Sequence, residues 1–146
     1  MSDNGLLCSM RPHALALLST LLVLHTARAW AQPVKPQRVT RLAPSRNETS
    51  GLLFAGGTVW TQLDGGHPHR LFQVDTLTGA VLREVEIANA ANTDREDICT
   101  DGRWVFVGDF GNNNGNRRDL RIYRFPLAAL LDTGLASVIA DTIRFA

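Results

Sequence analysis

The chain has 146 residues, enough for one modest domain. It is 45% hydrophobic and 20% charged with a formal net charge of +1, which is the make-up of a globular protein. That balance excludes a basic nucleic-acid-binding surface and a charged tail as organising features. Lys35 is the sole lysine, so arginine carries nearly all the positive charge, which favours planar, bidentate contacts or else reflects a genomic bias.

The N-terminus has the order of a secretory signal. Arg11 and His13 precede an eleven-residue apolar run, 14–24, and Ala29-Trp30-Ala31 before Gln32 is a small-x-small cleavage site. Residues 1–31 are therefore expected to be a cleavable signal peptide and the mature protein to be periplasmic or secreted, with no membrane span left. The run is too short to cross a bilayer as a mature helix; an uncleaved anchor is the competing reading. Met10 offers a second start just before Arg11. Cleavage removes Cys8 and leaves Cys99 alone, so no internal disulfide is expected. Cys99 lies in a predicted strand and reads as a small buried hydrophobe. The mature chain carries 13 basic and 13 acidic residues, which gives weak long-range steering.

Residues 32–47 are polar, hold Pro33, Pro36 and Pro44, and read as a linker, with a short strand at 39–42 as one option. From Gly51 onward β signals dominate. Residues 52–55 are an apolar run, Gly56-Gly57 a tight turn, and 58–63 an alternating strand. After the loop 64–69, a strand at 70–75 meets the turn 76–79, and 80–87 alternates again. The plan then recurs: a strand from Glu96 to Cys99, the turn Asp101-Gly102, a strand at 103–108, a Gly/Asn loop at 109–119, and a strand at 120–125. A helical turn is expected at 127–132, and 141–145 reads as the start of another strand, belonging to a third unit.

Matching Glu48 to Glu96, Asp64 to Asp109 and Leu71-Phe72 to Ile122-Tyr123 gives separations of 48, 45 and 51 residues. A period of about 40–50 residues built from four short strands is the pattern of β-propeller blades. The expected fold is all-β: residues 48–146 as an incomplete β-propeller of about two blades, near 48–92 and 94–146. One blade cannot bury both faces, so the missing neighbours point to the remaining blades of a longer chain or to another copy. A small β-sandwich is the alternative.

Two motifs carry a family resemblance. Glu48-Thr49-Ser50-Gly51-Leu52 followed by Trp60-Thr61-x-x-Asp64-Gly65-Gly66 is one. Glu96-Asp97-Ile98, then Val107-Gly108-Asp109-Phe110-Gly111-Asn112-Asn113, Arg117 and Ile122-Tyr123-Arg124 is the other. Together they resemble exported propellers of the esterase-like phytase and SdiA-regulated type, over about residues 48–125. The resemblance implies the N-terminal blades of a propeller. Asn113 and Asn114 depart from it, standing where an acid is usual nearby.

Acidic and amide side chains recur at the ends of the predicted strands. Glu96, Asp97, Asp109 and Asn112 are the candidate metal ligands; hard oxygen donors without a Cys/His cluster suit Ca²⁺ or Mg²⁺. Glu48, Asp64 and Arg117 are the candidate ligand-binding residues. The competing reading makes Asp and Asn turn formers through bonds to their own backbone. Arg117 and Arg118 suit a phosphate, or else a buried pair with Glu96 or Asp97. His67 and His69 form a His-x-His pair on a loop. No nucleophile elbow or phosphate loop is present, and no catalytic residue is assigned. The expected function is an exported, divalent-cation-dependent binding domain for an unidentified small molecule or polymer. The alternatives are a phosphoester or ester hydrolase, and a truncated chain without function.

Overall fold

Glycine turns and alternating runs produce the first sheet. The structure, a computed structural model, describes residues 34–145; the expected signal peptide, its cleavage site and Cys8 lie outside them. β1 (Thr49–Ala55) turns through Gly56-Gly57 into β2 (Thr58–Leu63). Both glycines have positive φ, 60° and 75°, as a two-residue hairpin turn with the twist of its strands requires. β3 (Arg70–Val74) and β4 (Val81–Ile87) follow. The Asp75 carboxylate accepts the Leu77 and Thr78 N–H groups at 2.7 and 3.0 Å and shapes the turn between them.

The second sheet repeats the first. β5 (Arg95–Thr100), β6 (Trp104–Asp109) and β7 (Leu120–Pro126) run antiparallel, and β9 (Asp141–Phe145) adds beside β7. Between them the chain forms the short helix α1 (Leu127–Leu131) and β8 (Ser137–Val138), which pairs parallel with β4. The described residues are thus all-β, with strand orders β1-β2-β3-β4-β8 and β5-β6-β7-β9 and no closed barrel among them. Arg83 binds α1 and the following turn to the first sheet by donating to the carbonyls of Leu130, Asp132 and Leu135.

The ladders of the two sheets superpose residue for residue. Thr49 opposite Leu63 answers Arg95 opposite Asp109; Leu52 opposite Thr61 answers Ile98 opposite Val107; Leu53 opposite Trp60 answers Cys99 opposite Phe106. Both first hairpins carry an irregularity near their start, between Ser50 and Leu52 and, one residue earlier in the second, between Arg95 and Asp97. In the third strands Phe72 answers Tyr123, and in the fourth Val85 answers Ile143.

The sheets stack face to face, but not with equivalent faces. The first sheet contributes Leu53, Trp60, Leu71, Val85 and Ile87 to the shared core; the second contributes Ile98, Val105, Val107, Tyr123 and Phe125. Leu53 is 5% exposed, yet its counterpart Cys99 is exposed; Ile98 is 3% exposed, yet its counterpart Leu52 is 68% exposed. Each sheet therefore turns one face to the other and leaves part of its opposite face open: on the first sheet Leu52, Phe54 and Leu82 are exposed beside buried Thr61, Leu63, Phe72 and Val74. Part of the first sheet's open face is covered by the 3-10 turn Pro44–Arg46. There the Arg46 guanidinium lies 4.3 Å from the Phe72 ring centroid and pairs with Glu84 at 2.8 Å.

Three expectations are corrected. Residues 39–42 form no strand. Residues Asp141–Phe145 complete the second sheet instead of starting a third unit, because they pair along β7 from Leu120 to Arg124. Cys99 is exposed because its face has no sheet against it.

Candidate functional site: an acidic rim

β1 and β5 begin, and β2 and β6 end, at one end of the stacked sheets. Asp109, the last residue of β6, anchors this end. It is fully buried and accepts the backbone N–H groups of Asp94 and Thr93 at 2.9 and 3.3 Å. Arg117 completes the anchor from the long loop, donating to the Asp109 carboxylate at 3.1 Å, to the Gly111 carbonyl at 2.8 Å and to Asp119 at 3.1 Å. Burial works against the Arg117 charge, but the Asp119 and Asp109 carboxylates outweigh it and raise its pKa. The same contacts hold the Asp119 carboxyl below its usual range, chiefly through its bond to Arg117.

Above this anchor sit three carboxylates. Desolvation and then the charge of Asp64 push the Asp94 carboxyl up, against the pull of Arg117. Desolvation, then Asp94 and Asp64, push Glu96 up. Gly111 lies against both side chains, and a methyl there would run into them. Among the described residues, no ion pair involves Asp64, Asp94 or Glu96. Desolvation first and like charges second both disfavour the ionised carboxylates here.

The loops meet closely because glycine allows it. Gly65 rests on the Thr93 carbonyl, where no side chain fits. Asn92 laces the same junction: its amide donates to the carbonyls of Leu63, Asp64 and His67 at 3.1, 2.8 and 3.1 Å. Sequence reasoning missed Asn92, since nothing in residues 88–93 signals a role. Beneath the rim, Arg95 is fully buried, and desolvation lowers its pKa to about 10 against the opposing charge of Asp109.

The other expected site residues fall elsewhere. Glu48, held at a positive φ of 63°, bonds His67 at 2.7 Å on the outer side. His69 turns to Glu86 at 3.3 Å, so the two histidines do not act as a pair. Asp97 accepts its neighbour Ile98's N–H at 2.8 Å and lines a hollow on the second sheet's open face with Cys99 and Phe106. Asn112 is a turn former, accepting the Arg117 and Gly115 N–H groups at 2.9 and 2.8 Å. Arg117 pairs with Asp109 and Asp119, not with Glu96 or Asp97.

Among the described residues, no three of His, Cys, Asp and Glu are disposed to enclose a metal ion as they stand. No helix among them is long and apolar enough to cross a membrane. No protein-family model, no curated protein and no solved structure matches the chain.

Proposed function

We propose that this chain is an exported binding module of propeller-type stacked sheets, whose acidic rim takes a divalent cation, Ca²⁺ in the first instance, as part of its ligand site. One observation carries the reading. Asp94 and Glu96 crowd together over Gly111, desolvated and under the charge of Asp64, and among the described residues none of the three is in an ion pair, since the nearby Arg117 is engaged by Asp109 and Asp119. A hard cation relieves that repulsion and accepts carboxylate oxygens directly. Glu96 is exposed, so its side chain is free to swing onto an ion. Asp109 and Arg117 support the site without joining it: both are engaged in holding the loop. Arg117 is for the same reason a poor substrate grip, so hydrolysis is not part of the proposal.

Calorimetric titration of CaCl₂ into the protein tests it. The expected result is a binding heat, a rise in melting temperature and proton release, all lost in Asp94→Asn/Glu96→Gln. Absence of both heat and melting shift at millimolar Ca²⁺ would refute it. Export is checked separately by sequencing the mature N-terminus, expected at Gln32.

A further inference from the structure

We infer that the two open sheet faces are the halves of one interface, by which a second copy of this chain stacks head to tail on the first. The buried interface inside the chain is the template. There the first sheet presents Leu53, Trp60, Leu71 and Val85. The second sheet's open face presents, at the equivalent ladder positions, Cys99, Phe106, Ile122 and Ile143. It is the same kind of surface: Phe106 and Ile122 are half-buried and Ile143 is 44% exposed.

Inside the chain that surface is received by the face of the second sheet that meets the first, with Ile98 and Val105. Its counterpart is the first sheet's open face, where Leu52 answers Ile98 and Val59 answers Val105. Phe54 on this face is 71% exposed, and Leu82 is 59% exposed. Phe54, Val59, Val74, Leu77 and Leu82 line a hollow there of ≈ 240 Å³. The Pro44–Arg46 turn covers Phe72, while Phe54, Leu77 and Leu82 stay exposed around buried Val74. On the donor face, among the described residues, Arg124 and Asp141 form an internally neutral pair at 2.7 Å, and Asp97 adds one exposed carboxylate.

A patch this apolar on each of two faces is unusual for a monomer. Because the faces differ, the contact is heterologous: each copy offers both halves, and stacking continues until a ring closes.

The test is sedimentation of the chain across a concentration series, with one variant for each face, Phe54→Asp and Ile143→Asp. Both sites are exposed, and a cooperative unfolding transition checks each fold. The unaltered chain should associate as concentration rises, and each variant alone should remain monomeric. An equimolar mixture of the two should form a one-to-one dimer and nothing larger, since one intact face remains on each. A variant that still self-associates like the parent, or a mixture that stays monomeric, would overturn the inference. A second readout needs no substitution. Alkylation at Cys99, followed on its peptide by mass spectrometry, should slow as the parent chain is concentrated. Unchanging Cys99 labelling with a monomer throughout would also overturn it.

Discussion

Truncating equivalent positions of the two sheets should have opposite consequences. Leu52 and Ile98 occupy the same ladder position, but one is 68% exposed and the other 3%. Ile98→Ala removes a core side chain among Val105, Val107 and Tyr123 and should cost about 3 kcal/mol, within the 2–5 typical of such truncations. Leu52 has about a third of its surface covered, so Leu52→Ala should cost only ~0.7 kcal/mol at about 2 for a fully buried leucine. The loss of strand preference on changing to Ala is similar for both and cancels in the comparison. On the other face the order reverses: Leu53→Ala should be costly and Cys99→Ala nearly silent, because Leu53 is 5% exposed and Cys99 exposed. Urea unfolding at high dilution, where copies do not meet, measures all four as midpoint shifts at constant slope. Equal costs for Leu52 and Ile98, or for Leu53 and Cys99, would mean that both sheets bury equivalent faces, and the head-to-tail stacking would be refuted.

Asp109→Asn should destabilise the chain by about 3 kcal/mol, since it withdraws a buried charge that serves Arg117 and leaves buried Arg95 less compensated; a loss under ~1 kcal/mol in urea would show that Asp109 is not the anchor of the rim. The raised carboxyls of Asp94 and Glu96 bind protons more tightly folded than unfolded, so stability should fall as pH rises through the window just above the ordinary carboxylate range. Acidifying from neutrality into that window should raise the melting temperature of the parent but not of Asp94→Asn/Glu96→Gln, and identical pH profiles would contradict the repulsion. The lowered groups Asp75, Asp101 and Asp119 give up their contribution only further down, below the ordinary carboxylate values. Arg46→Ala should cost about 1–2 kcal/mol by uncovering Phe72 and releasing Glu84; an unchanged urea midpoint would show that the turn does not cover the sheet.

The strands were legible because their signals are local. Gly56-Gly57 and Asp101-Gly102 mark turns, and Leu71-Phe72 and Ile122-Tyr123 hold the same register in both sheets. The acidic matches slid. The ladders set Glu48 against Asp94, not Glu96, and Leu63 against Asp109, not Asp64. Pairing acid with acid pulled the alignment two residues one way and one residue the other. The irregularity beside Glu96 then separates neighbours in sequence: Asp97 goes to the open face while Arg95 is buried. A strand pattern shows which residues share a face but not which face has a neighbour, so the exposure of Cys99 was hidden. β8 is two residues long and exists only because it meets β4, which no local pattern encodes.

The same ladders separate cation binding from association. At the junction inside the chain, Asp64 of the first sheet meets Asp94 and Glu96 of the second. At a junction between copies, the 46-residue correspondence puts Phe110 in the place of Asp64 and Glu48 in that of Asp94, and Ser50 and Gly51, neither of them acidic, in the stretch of Glu96. One carboxylate is then left where the internal junction has three, and that one is already bonded to His67. Ca²⁺ should therefore bind once per chain, at the internal junction, whether or not copies stack. The Phe54→Asp variant should show the parent's stoichiometry and affinity by calorimetry while sedimenting as a monomer. A calcium affinity that collapses in Phe54→Asp would place the ion at the contact between copies and remove the internal rim as its site.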